Sequence, residues 1–358
     1  MFLLSLANVV PDQRLTQQEC WEILRHSPSL RKLRPGSRAL LEKILIGDSG
    51  IESRHFAVGD LDRIFDLDAE SLNHAFEREA PALAERALHT ALAEAKLAPG
   101  ELDALIICTC TGYLCPGLSS FVAERAGLRP DVFLQDNVGQ GCGAAIPSLR
   151  SVSHLLAARP NARVACIAVE ICSAAFYLDD DPGVLISLCL FADGASASIW
   201  SGQPGPTHLR CDNFDTLHFP ADRETIRFEN RGGKLRNKLD KTVPESAAMA
   251  VRALFARQNG TAAAIGHVLA HGGGKKVLEA VSAALDDRFA LTESATVLRR
   301  YGNMSSPSVL FALGEYLHQP ATPKGPVDLW LTSYGAGFSA HACRLTAHPK
   351  TALTAGTC

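Results

Sequence analysis

One cysteine, one histidine and one asparagine of this chain each sit in a turn rich in glycine at the end of an apolar run. Cys142 lies in Val138-Gly139-Gln140-Gly141-Cys142-Gly143-Ala144-Ala145, His271 opens His271-Gly272-Gly273-Gly274, and Asn303 lies in Gly302-Asn303-Met304-Ser305-Ser306-Pro307. Glycine lets a substrate approach the main chain closely. A long apolar, helix-like run (146–158) follows Cys142, so a helix should begin at or just after it. The free N–H groups and dipole of that helix would favour a thiolate. Imidazole stabilises such a thiolate. An asparagine amide is a donor that stays neutral at every relevant pH. A histidine N–H and an asparagine N–H together could hold a thioester oxygen as negative charge develops on it. Each residue alone has a plainer reading: a buried structural cysteine, a packing histidine, an asparagine capping a helix. All three at the ends of apolar runs favour the chemical one.

The elements that must position them alternate. A first strand over 1–10 ends at Pro11, and Thr16-Gln17-Gln18-Glu19 is a capping box that opens a helix. Residues 30–51 carry Arg31, Lys32, Arg34, Arg38 and Lys43 among leucines, as a solvated helix face or as a rim that attracts an anionic ligand. Residues 80–98 read as an alanine-rich helix, 102–110 as a buried strand after the Pro99-Gly100 turn, and 116–127 as a helix. The strand starting at 133–135 leads to Cys142, the helix after it is central and buried, and 164–169 is another strand. Residues 188–200 read as a pair of short strands around Asp193-Gly194. The polar stretch 207–242, with Gly232-Gly233, reads as hairpins or an extended connection between halves. Helices follow at 244–257, 275–285 and 308–317, and strands at 268–270, 327–333 and 339–345. This alternation on both sides of the middle argues α/β layering and is compatible with two related halves.

The bulk numbers are those of an ordinary globular chain with a sizeable core. Of 358 residues, 47% are hydrophobic and 20% charged. A net charge of −3 gives no global basic field for nucleic acid or an anionic membrane. No apolar run approaches the ~20 residues that span a bilayer, and the first ten residues lack the features of a signal peptide. Eleven cysteines at irregular spacing, with no Cys-x-x-Cys pair, read as reduced cytoplasmic thiols, with no metal site.

Four stretches occur in order: Gly141-Cys142-Gly143-Ala144, Leu190-Phe191-Ala192-Asp193-Gly194-Ala195, Ala270-His271-Gly272-Gly273-Gly274 and Tyr301-Gly302-Asn303-Met304-Ser305-Ser306. Together they resemble the type III polyketide synthases, the chalcone/stilbene synthase family, and the last is close to a signature. The resemblance runs from about residue 11 to residue 345. It implies a thiolase fold, five-layered α-β-α-β-α with two duplicated halves, 1–205 carrying the cysteine and 206–358 carrying the histidine and asparagine, and a homodimer. It implies that Cys142 holds starter and growing chain as thioesters. It further implies that His271 and Asn303 form the oxyanion site, keep Cys142 ionised and help malonyl-CoA decarboxylate, and that Phe191 is an aromatic gate. Acyl-CoA and malonyl-CoA would be substrates, with no carrier protein and no further cofactor.

The departures bear on product. The second gate position falls on Asn237 rather than on a phenylalanine, with Phe228 able to replace it in space. Cys110, Thr111, Cys115, Cys172, Ala175 and Ser187 stand where plant members carry other residues, and Ser305 belongs to the signature stretch. Cys115 matches the residue that reaches across the dimer into the partner's cavity. Tyr334-Gly335-Ala336-Gly337 alters the family's glycine-rich loop. Lys43, Lys275 and Lys276 are the candidates for the CoA phosphates. Length and the 227–244 segment look like bacterial members, with a lean towards those making 3,5-dihydroxyphenylacetyl-CoA from malonyl-CoA alone. The competing readings are a single-condensation enzyme like ketoacyl-carrier-protein synthase III, a catalytically silent thiolase-fold dimer that binds acyl-CoA, and a cysteine hydrolase.

Overall fold

The computed structural model describes residues 1–59, 61–258, 262–319 and 325–348. The chain opens on β1 (Phe2–Val9) and β2 (Gln13–Thr16). α1 (Gln17–His26) begins at the expected capping box, with Thr16 Oγ1 accepting from the Glu19 N–H and the Glu19 carboxylate accepting from the Thr16 N–H. α2 (Pro35–Ile46) has proline at its first position, and β3 (Ser53–Phe56) pairs with β2. α3 (Ala69–Ala95) starts well before the alanine-rich stretch that announced it. Asp68 caps it by accepting from the Ser71 N–H, and Leu72, Ala75 and Phe76 extend its buried stripe. β4 (Ala104–Thr109), α4 (Leu118–Arg125), β5 (Phe133–Val138), α5 (Ala145–Ala158) and β6 (Arg163–Glu170) follow as the sequence suggests.

The next stretch corrects an expectation. Residues Pro182–Leu190 form a helix, α6, and only β7 (Gly194–Ser201) is a strand. Pro182 sits at the first helical position, and Asp181 accepts from the Gly183 N–H. A short run that is apolar on every side has no period to separate helix from buried strand. Beyond it lie β8 (Leu209–His218) and a hairpin of β9 (Ile226–Arg231) and β10 (Lys234–Leu239). Gly232 and Gly233 turn that hairpin at φ of 60° and 78°. The chain ends in α7 (Val243–Ala256), β11 (Ile265–Ala270), α8 (Lys275–Ala284), α9 (Thr292–Tyr301), α10 (Ser308–Leu317), β12 (Val327–Gly335) and β13 (Ser339–Ala347).

Nine strands run in the order β11-β12-β13-β8-β1-β7-β6-β4-β5. Only Phe2 opposite Arg210 joins β1 to β8, so the sheet is two sheets meeting at one pair. Their patterns match. In one, β4 is parallel to β6, β6 antiparallel to β7, and β7 antiparallel to β1. In the other, β11 is parallel to β12, β12 antiparallel to β13, and β13 antiparallel to β8. β5 is an extra strand at the edge of the first.

Alternation along the strands sorts side chains into three cores. Leu105 and Ile107 of β4 face a core with α3, whereas Ala104, Ile106 and Cys108 face one with α5 and α10. Leu329 and Leu331 of β12 join that same middle core, and Trp330 faces a third with α7 and α8. The layers are therefore α3, sheet, α5 with α10, sheet, α7 with α8: the α-β-α-β-α stack of a thiolase fold.

Candidate active site

Cys142, His271 and Asn303 come together. All three border one cavity of about 390 Å³, with Phe191, Ile226 and Tyr334. Cys142 follows β5 in a single 3-10 turn, Gly141–Gly143, ahead of α5. Gly141 has φ of 56°, and β12 presses on this turn so closely that a Cβ at Gly335 would lie 2.9 Å from the Cys142 nitrogen. Ser333 Oγ adds a hydrogen bond to the Gly143 carbonyl at 2.9 Å. The second sheet therefore fixes the turn on the first.

His271 follows β11. Its N–H donates to the Thr332 carbonyl at 2.9 Å, its carbonyl accepts from Tyr334 Oη at 2.6 Å, and its ring meets Tyr334 edge-on. Nδ1 is buried without a hydrogen-bond partner, and burial pushes the imidazole down to about 4, so it is neutral. Asn303 is oriented by two bonds: Nδ2 donates to the Gly273 carbonyl at 3.1 Å, and Oδ1 accepts from the Ser305 N–H at 2.8 Å. The Asn303 backbone pairs with Phe191, its N–H donating to Leu190 and its carbonyl accepting from Ala192.

The lowered thiol expected at the helix start is not what the structure holds. Burial pushes Cys142 up to about 12, with a hydrogen bond from Ser305 acting downward and the charge of Glu170 upward. Cys142 lies in a tight turn one residue ahead of the α-helix, where desolvation outweighs the helix N–H groups. Its sulfur accepts from Ser305 Oγ at 3.2 Å, a bond that favours the thiolate against that burial. Iodoacetamide labelling of Cys142, followed by peptide mass spectrometry, should climb about tenfold per unit from roughly pH 7 to pH 10 as the thiolate fraction grows. A plateau below pH 8 would sink this assignment.

Cys142, Phe191 and Ile226 also border a second, larger cavity of about 610 Å³. Phe191 stands where the two meet, which is a gate's place. Cys110, Thr111, Cys172, Ala175, Ser187, Asn237 and Ser305 all line the larger cavity. Asn237 and Phe228 are cross-strand partners on β10 and β9 and both line it, so the two candidates for the second gate are neighbours. Asn237 Nδ2 donates to Ser187 Oγ at 2.8 Å. Cys115 is exposed and lies outside this lining. Lys43, Lys275 and Lys276 border neither cavity and are exposed, with Lys275 paired to Asp48 at 2.5 Å.

Sequence reading missed Glu170. It is fully buried at the end of β6, accepting from the Cys110 N–H (2.9 Å), Thr111 Oγ1 (2.9 Å), Ser306 Oγ (2.6 Å) and, at 3.4 Å, Ser305 Oγ. Burial raises its carboxyl against those bonds. Arg54 was also missed. Its NH1 donates to the carbonyls of Leu188 and Phe191 at the end of α6. The signal for both was a charged residue within or beside an apolar run. The described residues contain no cluster able to hold a metal ion and no helix long and apolar enough to cross a membrane.

The family model for FAE1/type III polyketide synthase-like proteins matches residues 4–210. A 1,3,6,8-tetrahydroxynaphthalene synthase of Streptomyces coelicolor is 27% identical over 337 residues, 92% of this chain and 88% of that protein. A 3,5-dihydroxyphenylacetyl-CoA synthase of Amycolatopsis orientalis is 33% identical over 258 residues, 69% of each chain. The crystal structure of the Streptomyces coelicolor tetrahydroxynaphthalene synthase superposes with a TM-score of 0.84 at 26% identity, covering 98% of this chain and 100% of that one. With the thiolase layering, the cysteine, histidine and asparagine on one cavity, and these likenesses together, the chain belongs to the type III polyketide synthase family.

Proposed function

We propose that the chain carries an acyl group from acyl-CoA on Cys142 Sγ and extends it with malonyl-CoA several times before ring closure. The observation that carries this is the meeting of Cys142, His271 and Asn303 on one cavity that continues past Phe191 into a larger one. As the thiol attacks the starter thioester, the neutral His271 takes its proton and CoA leaves as the thiol. Malonyl-CoA then loses CO2 to give an enolate. His271 and Asn303 Nδ2 donate to the enolate oxygen, which is where neutral or cationic donors are worth most. The enolate carbon forms a bond to the Cys142-bound carbonyl, and the cysteine sulfur leaves as thiolate. The lengthened chain, now on CoA, returns to Cys142.

In this reading residues 1–205 supply the cysteine half and 206–358 the histidine and asparagine half. Cys110, Thr111, Cys172, Ala175, Ser187, Asn237 and Ser305 shape the chain's cavity, and Lys43, Lys275 and Lys276 meet the CoA phosphates, Lys275 by leaving Asp48. The enzyme works in the cytoplasm on CoA thioesters without a carrier protein. In this reading malonyl-CoA also serves as the starter.

A second copy docks on β5. That strand is the open edge of the sheet, and its Phe133 and Val138 are 49% and 51% exposed. An edge with apolar side chains is a template for pairing. Cys115, exposed on its own chain, then faces the partner's cavity. Phe133→Asp with Val138→Lys should yield a folded monomer by light scattering; a dimer that persists would remove β5 from the interface.

Product analysis by mass spectrometry tests the activity, with malonyl-CoA alone and then with a panel of acyl-CoA starters. Products extended by several two-carbon units are expected. A single extension, accepted only from a carrier-bound malonyl group, would overturn the iterative reading.

A further inference from the structure

The β9–β10 hairpin roofs the site without belonging to the main sheet. It is a separate two-stranded ribbon, yet Ile226, Phe228 and Asn237 from it line the larger cavity, and Ile226 and Leu239 line the smaller one. Among the described residues, its side-chain hydrogen bonds to the body of the protein are few. Lys234 Nζ donates to the Leu67 carbonyl, and Asn237 donates to Ser187. Arg227 and Lys238 both hold Glu224, just ahead of the hairpin, and the rest come from Arg236. This side chain, only 9% exposed, reaches from β10 with Nε to Asp179 Oδ2 at 2.8 Å and with NH2 to Asp181 Oδ2 at 3.0 Å, while NH1 holds Glu229 of β9 at 2.9 Å. Asp180, between the two aspartates, accepts from the Arg34 N–H at 2.9 Å and from Ser37 Oγ at 2.6 Å, which ties the same loop to α2.

One guanidinium thus satisfies three carboxylates from two segments, the 179–181 loop and β9, with a separate N–H for each. Without it, Asp179 and Asp181 would lose their cationic partner among the described residues and Glu229 would keep only Arg227 at 3.6 Å, and their like charges would drive the hairpin from the loop that leads into α6. We propose that Arg236 is the clamp that holds this hairpin as the roof of the cavity and so limits how long a chain the cavity admits. Arg236 is a positioning and specificity residue: it touches no substrate and acts through Phe228 and Asn237. The limit on chain length rests on the polyketide-synthase reading above; the clamp itself does not.

The test compares Arg236→Met, Arg236→Lys and the Asp179→Asn/Asp181→Asn pair with wild type. Hydrogen exchange by mass spectrometry should quicken at least about tenfold over 226–239 in Arg236→Met, with α5 and β12 unchanged. The rate of Cys142 labelling by a bulky aryl maleimide, relative to iodoacetamide, should rise by about tenfold as the roof loosens. Products should gain chains longer than the wild type makes, and Arg236→Lys should fall between. Unchanged exchange and labelling in folded Arg236→Met would overturn the clamp. If Arg236→Met quickens exchange everywhere, the aspartate-to-asparagine pair decides, because it strands no charge: local loosening supports the clamp and none overturns it. If the wild type makes no polyketide, exchange and labelling still judge the clamp, and only the chain-length consequence falls with the activity.

Discussion

Cys142→Ala leaves no polyketide product and no acyl-enzyme: turnover of malonyl-CoA into extended chains falls by about four orders of magnitude or more, as removing a covalent nucleophile does. The loss is not one of folding. Cys142 makes one side-chain hydrogen bond, as acceptor from Ser305, and alanine fills most of the same space. Intact-protein mass spectrometry checks both halves: wild type incubated with acyl-CoA gains the mass of an acyl group, and the variant gains none. Product made by the folded variant would place the nucleophile elsewhere, with Cys110, whose sulfur lies 3.3 Å from the same Ser305 hydroxyl, the first to examine.

Asn303→Asp is the second large effect, and it separates acylation from condensation. The carboxylate keeps an oxygen for the Ser305 N–H, so the turn at Ser305, with its φ of 60°, stays in place. What goes is the donor, and what arrives is a negative charge where the enolate must form. Decarboxylation and extension are expected to slow about 10²–10³-fold, the usual cost of one lost oxyanion donor, with added repulsion. Loading of Cys142 by the starter should change far less, since it needs no enolate. Equal losses in both steps, measured by single-turnover loading against CO2 release, would show that Asn303 serves the turn or the thioester oxyanion of loading and not the enolate in particular.

The reactive residues are legible in the sequence because each depends on its local surroundings. Glycine around Cys142, after His271 and before Asn303 allows close main-chain approach wherever the turn ends up, and the apolar runs beside them announce strands and helices. The first of the two strands expected over 188–200 reads wrongly for the opposite reason: a run buried on all sides carries no period, and only its neighbours decide that 188–190 close a helix. The state of Cys142 follows the same rule. The helix after it is visible in the sequence, but the packing of β12 on its turn and the charge of Glu170, which act against the helix, come from elsewhere along the chain.

By itself, the sequence picked out the cysteine, histidine and asparagine proposed to do the chemistry and the α/β alternation, and it offered hairpins as one of two readings of the polar 207–242 stretch. Its signature stretches also determined the family. Tertiary structure alone decided that Phe228 and Asn237 are partners across one ribbon, that Glu170 sits beneath Ser305, and that Arg236 gathers Asp179, Asp181 and Glu229. The physical reason is range. Turn chemistry and periodicity act over a few residues, whereas desolvation and charge pairing depend on whatever the fold brings within a few ångströms, regardless of separation along the chain.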